Sequence, residues 1–301
     1  MIYTMTLNPA LDYVMRVEKL RRDDINRSSS EALYCGGKGI NVSTVLNRLG
    51  LKNRALGFVA GFTGDQIIRM LSDEGIEADF VKAARGLTRI NVKIKAETEL
   101  DINARGPEIS EKEIGQLFEK LDSVGAGDVL VLAGAPPKNL PADIYEKMMQ
   151  RLNGKGVRFV VDAEGELLLR SLKYRPFLIK PNHHELGDLF GTVVKEEDEI
   201  VFYAKKLQEQ GAVNVLVSRG GDGAVLLDEK KEVHRVGVVP GKVLNTVGSG
   251  DSMVAGFLAG YLQSASYAFA LRLGAACGNA TACSEGLAEK AKIDEVFNKI
   301  K

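Results

Sequence analysis

Asn245-Thr246-Val247-Gly248-Ser249-Gly250-Asp251-Ser252 is the stretch around which the chain is organised. It follows a strand-like run (236–239, then 243–244) and precedes an apolar helical run that begins at Met253. The Gly-Ser-Gly triplet is therefore predicted to open a helix. A helix start presents unpaired backbone N–H groups and the positive end of the helix dipole, and glycine lets an anion approach them closely. We predict an anion-binding site formed by Gly248, Ser249 and Gly250.

Asp251 places one carboxylate next to this predicted anion site. The combination suits phosphoryl transfer, because the N–H groups stabilise the transferred group while the carboxylate takes a proton from the attacking hydroxyl. The alternative is an acidic residue in the first turn of an ordinary helix after a glycine turn. Gly-Ser-Gly-Asp is too short to decide between the two.

Strands alternate with helices through most of the chain, which predicts a mostly parallel sheet covered by helices. Ligands of such sheets bind at the carboxyl ends of the strands. Residues 268–283 form a run of small residues that predicts a closely packed helix. The predicted strands are 2–7, 55–59, 129–133, 157–162, 177–179 and 213–218, and the predicted helices are 40–49, 65–74, 111–121, 141–152 and 197–210.

Two insertions, 13–34 and 88–105, interrupt the alternation. In the second, Ile90, Val92 and Ile94 alternate with polar residues, which predicts a half-buried antiparallel strand with 100–103 as its return. We expect a small β-sheet lid over the site, with 1–12, 35–87 and 106–301 forming the large domain. The apolar face of the lid needs cover from the main domain or from a second subunit.

Composition restricts the class of protein. Lys+Arg and Asp+Glu both count 40 among 301 residues, so the formal net charge is zero. A general nucleic-acid or membrane-surface binder needs a basic excess, so the zero net charge argues against both of these classes. No run approaches the length of a membrane span, and the N-terminus lacks the features of a signal peptide, so we expect a cytoplasmic protein.

The three cysteines have no CxxC spacing, which predicts a reducing compartment and no structural zinc. Cys35, beside a glycine pair, is expected to be a small packing residue. His183 and His184 are adjacent and His234 is isolated in the sequence, so we do not predict a zinc site.

Two stretches near the N-terminus could bind a sugar. Asp12 follows the first strand, and a carboxylate there can accept hydrogen bonds from two hydroxyls. The alternative is an Asx-turn after Pro9. The cluster Gly36-Gly37-Lys38-Gly39-Ile40-Asn41 opens a helix, but it lacks the spacing of a Walker A loop. Its alternative is a loop with an ordinary helix cap.

Three further groups could bind phosphates or a metal. Asn182 and Glu185 lie three residues apart after a strand, and their oxygens suit Mg²⁺, often through water. The turn 218–224 could approach a nucleotide or could simply join two strands. Arg27, Arg89 and Arg105 could fork onto a phosphate or could be surface charges.

Together these motifs resemble the ribokinase-like PfkB family of sugar kinases over essentially the whole chain. The matching stretches are Leu7-Asn8-Pro9-Ala10-Leu11-Asp12, the Gly-Gly-Lys-Gly-Ile-Asn at 36–41, the Lys-Pro-Asn-x-x-Glu at 180–185 and the Val-Gly-Ser-Gly-Asp-Ser at 247–252. The resemblance implies a three-layer α/β/α domain with a β-sheet lid that often doubles as a homodimer interface. It also implies ATP as phosphoryl donor and Mg²⁺ as cofactor.

The resemblance assigns roles to individual residues. Asp251 is implied to be the general base, and Gly248, Ser249 and Gly250 the anion hole. The other assignments are Asp12, Gly37 and Asn41 to the sugar hydroxyls; Lys38, Arg27, Arg89 and Asn103 to the substrate's own phosphate; Asn182 and Glu185 to Mg²⁺ and ATP; and Lys180, Ser218, Gly220, Gly223 and Asn279 to the nucleotide.

Within the family, the chain is most similar to members that transfer phosphate to O6 of D-fructose 1-phosphate. Members acting on tagatose 6-phosphate or fructose 6-phosphate share most of the framework, and a sugar-phosphate sensor without turnover is a distant alternative. The chain departs from the family's usual serines at Ala133, Ala135 and Ala163, and Arg105 replaces a usually neutral residue. These departures affect substrate contacts and leave the base and anion hole in place.

Overall fold

The structure is a computed structural model that describes residues 1–300. Its strands and helices largely follow the predicted alternation. In chain order, the strands are β1 (Ile2–Thr6), β2 (Ala10–Arg16), β3 (Ser30–Gly36), β4 (Asn53–Ala60), β5 (Glu77–Ala78), β6 (Val81–Ala83), β7 (Arg89–Lys95), β8 (Glu99–Asn103), β9 (Val129–Ala133), β10 (Arg158–Asp162), β11 (Leu178–Ile179), β12 (Asn214–Ser218), β13 (Ala224–Leu227) and β14 (Val233–Val236). The helices are α1 (Lys38–Arg48), α2 (Gly61–Asp73), α3 (Glu111–Leu121), α4 (Ile144–Leu152), α5 (Gly165–Ser171), α6 (His183–Leu189), α7 (Glu197–Glu209), α8 (Ser249–Ser264), α9 (Tyr267–Ala282) and α10 (Lys290–Lys299).

The central sheet has the order β14-β13-β12-β11-β10-β9-β1-β4-β5, with β6 also pairing with β4. The pairs from β12 to β5 are parallel, and β13 and β14 add antiparallel strands at one edge. All the parallel strands therefore point the same way, and the site is expected along the line formed by their carboxyl ends. These strands include β1, β9, β10, β11 and β12. The predicted fold class, a mostly parallel sheet plus a separate small sheet, is confirmed.

Both faces of the central sheet are buried, because alternate residues of each strand pack into different cores. On β9, Leu130 and Leu132 join the core that includes α3, α4 and α7, whereas Val129 and Val131 join the core of α1, α8, α9 and α10. This two-sided burial produces the continuous apolar runs from which the strands were predicted.

Helices α8 and α9 pack at close range through glycines, as the run of small residues predicted. A Cβ on Gly256 would lie 2.6 Å from Sγ of Cys277, and one on Gly274 would lie 2.8 Å from the Met253 carbonyl oxygen. Ser252 and Thr281 share a buried hydrogen bond of 2.8 Å between their hydroxyls. Close packing of this kind holds the first turn of α8 in place.

The small sheet has the order β3-β2-β7-β8, with β2 and β7 parallel and the outer pairs antiparallel. Its strands come from the two predicted insertions, but β2 begins at Ala10, before the predicted limit at 13. Asp12 therefore lies within a strand of the small sheet, although it was predicted to belong to the large domain and to precede the lid. Pairing of Ala10 with Gly36 and Arg89 extends the strand to this point.

The predicted strand at 236–239 is also wrong. β14 ends at Val236, because its partner strand β13 begins at Ala224, directly opposite Val236. The chain then runs without helix or strand to Gly248, and Pro240 lacks the N–H that a further strand would need. The N–H groups of Leu244 and Asn245 instead donate to the Ala282 carbonyl, which ties this segment to the end of α9.

Within residues 1–300, no helix combines the length and the apolar character needed to cross a membrane.

Candidate active site

Gly248 is the N-cap of helix α8, and its φ of 81° lies in the left-handed region that favours glycine. A Cβ there would also lie 2.6 Å from Cδ2 of Leu287. Among the described residues, no side chain caps this helix start, and the N–H groups of Gly250 and Asp251 have no hydrogen-bond partner. The predicted anion hole lies at an uncapped helix N-terminus whose backbone donors are free, which suits an anion; its role stays a prediction.

Asp251 lies in this first turn and is 5% exposed. Nδ2 of Asn41, on α1, donates a 2.7 Å hydrogen bond to its carboxylate. Burial and the nearby charge of Asp162 raise the pKa of Asp251 to about 7, whereas the Asn41 hydrogen bond and the ammonium groups of Lys38 and Lys180 oppose this rise. A carboxylate with a pKa near the working pH suits a general base.

Three charged side chains, those of Asp162, Lys38 and Lys180, converge beside Asp251 on α8. Asp162 is 2% exposed, and its Oδ1 lies 3.3 Å from Nζ of Lys38 and 3.5 Å from Nζ of Lys180. Nζ of Lys180 lies 3.1 Å from the position of a Cβ on Gly250. The structure therefore places Lys180 beside the predicted anion hole and brings together the predicted residues Lys38, Asn41, Lys180 and Asp251.

Asp162 was not predicted as a site residue. The signal was present, because it ends strand β10 at the edge where ligands of parallel sheets bind.

Helix α1 begins at Gly37, with a φ of 124° and, within residues 1–300, no side-chain cap. A Cβ on Gly37 would lie 2.6 Å from Cγ2 of Thr6, so close packing against β1 already requires glycine here. The Lys38 side chain passes over Gly134, where an added Cβ would lie 3.7 Å from its Cβ and Cγ atoms. These packing contacts direct Lys38 toward Asp162.

Polar residues form a row across the small sheet. Tyr34, Asp12, Asn91 and Asn103 are paired neighbours on β3, β2, β7 and β8, and paired residues project from the same face. Nδ2 of Asn91 donates to Oδ1 of Asp12 at 2.7 Å. Arg89, two residues before Asn91, projects from this face too, and its Nε donates to the Asn8 carbonyl at 3.2 Å.

The predicted arginines do not gather at one point. Partial burial lowers the pKa of Arg89, with the charge of Asp12 opposing the change. Arg27 lies in the exposed segment between β2 and β3 and makes no hydrogen bond or ion pair with other described residues. Arg105 is exposed, and its carbonyl accepts a hydrogen bond from Asn8.

Asn182 and Glu185 form a capping box at the start of α6. Oδ1 of Asn182 accepts from the N–H groups of His184 and Glu185 at 2.8 and 2.9 Å, and Oε2 of Glu185 accepts from the Asn182 N–H at 2.7 Å. Helix capping alone accounts for the three-residue spacing of this pair. Their role toward a metal stays a prediction.

The turn after β12 joins two antiparallel strands, as the simpler interpretation predicted. A Cβ on Gly223 would lie 2.0 Å from the Val236 carbonyl oxygen, so strand packing explains this glycine. Gly220, with a φ of 58°, faces open space. On α9, Oδ1 of Asn279 is buried and has no partner among the described residues. The nucleotide roles of Ser218, Gly220, Gly223 and Asn279 stay predictions.

Residues 5–294 match the pfkB family carbohydrate kinases. The chain belongs to this family. The recognition made from the motifs is therefore confirmed, and the protein is a carbohydrate kinase.

This PfkB kinase is similar to several relatives over essentially its full length. It is 46% identical to the 1-phosphofructokinase of Bacillus subtilis, covering 100% of this chain and 99% of the relative. It is 38% identical to the D-tagatose-1-phosphate kinase of Bacillus licheniformis, covering 100% and 98%. It matches the structure of the tetrameric inhibited form of phosphofructokinase-2 from Escherichia coli with a TM-score of 0.91 and 28% identity, covering 99% and 98%.

His234 of the kinase is not isolated, contrary to its appearance in the sequence. Its Nε2 lies 2.9 Å from Oδ2 of Asp228, and Glu232 is close by. Oδ1 of Asp228 already accepts from the N–H groups of Lys230 and Glu232. These bonds organise the turn between β13 and β14, which explains the cluster without a metal.

Cys35 behaves as the predicted packing residue. Its Sγ lies 3.7 Å from Sδ of Met70 on α2. Burial raises the pKa of the thiol to about 12, so the thiolate is disfavoured at neutral pH.

Proposed function

We propose that this PfkB kinase transfers the γ-phosphoryl group of ATP to O6 of D-fructose 1-phosphate, giving D-fructose 1,6-bisphosphate. The observation that carries the proposal is the buried carboxylate of Asp251 beside the free N–H groups of an uncapped helix start. The full-length similarity to a 1-phosphofructokinase supports the choice of substrate.

In this reaction Asp251 accepts the proton of the O6 hydroxyl as O6 forms a bond to the γ-phosphorus. The bond from the γ-phosphorus to the bridging oxygen breaks, and ADP leaves with that electron pair. The N–H groups of Gly250 and Asp251, held by the Gly248-Ser249 turn, would stabilise the charge on the transferred group together with Lys180. Asp251 then releases its proton to solvent.

The sugar phosphate would bind between α1 and the polar face of the small sheet. Asp12, Gly37 and Asn41 would hold the hydroxyls, and the hydrogen bond from Asn41 to Asp251 would also orient the base. The 1-phosphate would bind Lys38 and Arg89. Arg27 and Asn103 are the further residues proposed for it.

The nucleotide would bind on the other side of Asp251, along Lys180, Ser218, Gly220, Gly223 and Asn279. Mg²⁺ bound with ATP would neutralise part of the phosphate charge. Asn182 and Glu185 fit a hydrated Mg²⁺ by donor type, because the capping box occupies only Oε2 of Glu185 and leaves its other oxygen for a bound water. An ATP-consuming reaction of this kind would take place in the cytoplasm.

The small sheet of β2, β3, β7 and β8 would act as a lid over the large domain and exclude water from the reaction. Its outer face is apolar and includes the exposed residues Leu33, Ile90, Leu100 and Ile102, of which Ile102 is 56% exposed. We propose that a second copy of the chain covers this face in a homodimer. The tetrameric form of the E. coli relative supports assembly between copies.

D-Tagatose 1-phosphate is the second candidate substrate, because the B. licheniformis relative carries that name. Tagatose and fructose differ only in configuration at C4, so one polar contact could decide between them. Tagatose 6-phosphate and fructose 6-phosphate are weaker candidates, and a sensor without turnover is weaker still, since both Gly250 and Asp251 are present.

The test is an ATP-consumption assay with Mg²⁺ against fructose 1-phosphate, tagatose 1-phosphate, fructose 6-phosphate and tagatose 6-phosphate. We expect the highest kcat/KM for fructose 1-phosphate. A preference for either 6-phosphate would overturn the substrate assignment but keep the base and anion hole. Sugar-phosphate binding without turnover on any of the four would favour the sensor.

The proposed contact of Arg89 with the sugar phosphate is tested by Arg89→Ala. Loss of a charged contact to phosphate should raise the KM for the sugar phosphate by roughly 10- to 100-fold, with a much smaller change in the KM for ATP. Arg69→Ala, an exposed arginine on α2, is the control and should change neither. Equal effects on both KM values would contradict the phosphate contact.

A further inference from the structure

Asp162 is the most deeply buried charge of the site and the one that the proposed reaction does not yet use. It is 2% exposed, and its Oδ1 serves both Lys38 and Lys180, at 3.3 and 3.5 Å. Its Oδ2 is buried without a partner among the described residues. A carboxylate in this setting is costly to bury unless its charge is needed there.

The two lysines come from opposite sides of the site. Lys38 opens α1 beside the proposed sugar-phosphate site, and Lys180 follows β11 and lies beside Gly250 in the proposed phosphoryl site. The Lys180 side chain is 6% exposed. Asp162 is thus the group that links the lysine of the proposed sugar-phosphate site to the lysine of the proposed phosphoryl site.

We propose that Asp162 is a positioning residue that holds the ammonium groups of Lys38 and Lys180 at fixed places on either side of the reacting atoms. The inference rests on the proposed function, because it concerns the same site. Without the carboxylate, Lys180 would lose its buried counter-charge and move toward Asp251, the other buried carboxylate. Both phosphate-binding lysines would then be misplaced.

The charge of Asp162 also acts on Asp251. The charged groups near Asp251 are Asp162 on β10, Lys38 on α1 and Lys180 after β11, and Asn41 is its neutral partner. Glu164 and Glu185 lie near Lys38. Because Asp162 raises the pKa of Asp251, removing its charge should lower that pKa, so the acidic limb of kcat/KM moves to lower pH.

The test compares Asp162→Asn with Glu164→Gln. Glu164 is also a carboxylate near Lys38, at 3.9 Å, but it is 68% exposed. Asp162→Asn should lower kcat/KM by roughly 100-fold, because small displacements of phosphate-binding groups are costly, and should move the acidic limb to lower pH by roughly one unit. Glu164→Gln should change neither the rate nor the pH profile. A rate loss with an unchanged acidic limb, or equal effects of the two substitutions, would overturn the proposal.

A double-mutant cycle makes the test independent of which sugar phosphate is the substrate. ADP binding is measured by calorimetry for the wild type, Asp162→Asn, Lys180→Met and the double variant. If Asp162 acts through Lys180, it should weaken ADP binding by roughly 10-fold in the wild type and by little in the Lys180→Met background. Additive effects would overturn the positioning role. Failure of fructose 1-phosphate as substrate, by contrast, would leave this cycle unaffected and would count only against the proposed function.

Discussion

The starts of α6 and α8 lie at the same edge of the central sheet but are built in opposite ways. At α6, the side chains of Asn182 and Glu185 satisfy the first backbone N–H groups reciprocally. At α8, a left-handed glycine starts the helix, and in the described part of the chain no side chain takes the cap position. A capped start stabilises its own helix, whereas an uncapped one leaves donors for a ligand.

The uncapped start of α8 must be held by other means. Close packing of α8 on α9 and the buried hydrogen bond between Ser252 and Thr281 supply them. We therefore expect substitutions at the start of α8 to affect the reaction more than stability, and substitutions at the start of α6 to affect stability first.

The largest effect is expected for Asp251→Asn. Loss of the general base should lower kcat by roughly two to four orders of magnitude, while the neutral amide leaves the fold and substrate binding near normal. A coupled assay for ADP release measures the change, with Asp73→Asn, at an exposed carboxylate on α2, as the control. Turnover at the wild-type rate would contradict the assignment of the base.

The same variant should not be less stable than the wild type at pH 8. The pKa of Asp251 in the folded protein, about 7, exceeds its usual value, so the stability linked to its protonation is present at low pH and lost as pH rises through about 7. Asparagine removes this dependence. Thermal unfolding at pH 5 and pH 8 measures it, and a marked loss of Tm at pH 8 would show that the carboxylate also has a structural role.

Gly250→Ala should have the next largest effect. Its Cβ would lie 3.1 Å from Nζ of Lys180 and would crowd the free N–H groups, so kcat should fall by roughly 100-fold. The matched control is Gly115→Ala on α3, where a Cβ has no neighbour within 4 Å among the described residues and alanine favours the helix. Equal kinetics for the two variants would mean that the start of α8 does not bind the transferred group.

The fold could be predicted because its signals are local. On β9, neighbouring residues enter opposite cores, and the sequence shows this as an unbroken apolar run. The starts of α1 and α8 were also predictable locally, from the glycines that precede both helices. The predictions failed at 236–239, where pairing with β13 ends the strand, a property of the partner and not of the segment.

The motifs of the site could be predicted from the sequence, but the contacts between residues far apart in the chain could not. Lys38 and Asp162 are 124 positions apart in sequence, and Asn41 and Asp251 are 210 apart, so only the fold brings them together. Asp162 carries no motif of its own and looked like a strand end. Conversely, the spacing of Asn182 and Glu185 predicts a pair of oxygen ligands, whereas their bonds within the chain are those of a helix cap.

The hydrogen bond from Asn41 to Asp251 can be tested through the pH dependence of kcat/KM. It lowers the pKa of Asp251, so Asn41→Ala should move the acidic limb of kcat/KM from near pH 7 to higher pH by roughly one unit. The profile is measured with the preferred sugar phosphate at saturating ATP. Asn47→Ala, on the same helix but bonded to the Glu74 carbonyl, is the control. An unmoved limb in Asn41→Ala would indicate that Asp251 is not the group that titrates in this range.

The smallest effect, and the one that tests the other half of the comparison, is expected at Asn182. Asn182→Ala removes an acceptor for two backbone N–H groups and should lower the free energy of unfolding by about 1 kcal/mol. Asn182→Ser keeps a capping oxygen and should restore most of that loss. Denaturant unfolding measures the stability, and the KM for ATP is followed in both variants.

If serine restores stability but not the KM, Asn182 also contacts the nucleotide or its metal. If serine restores both, the residue acts only as a cap. A KM increase in Asn182→Ala without any loss of stability would reverse the comparison, because the start of α6 would then serve the ligand first, as the start of α8 does.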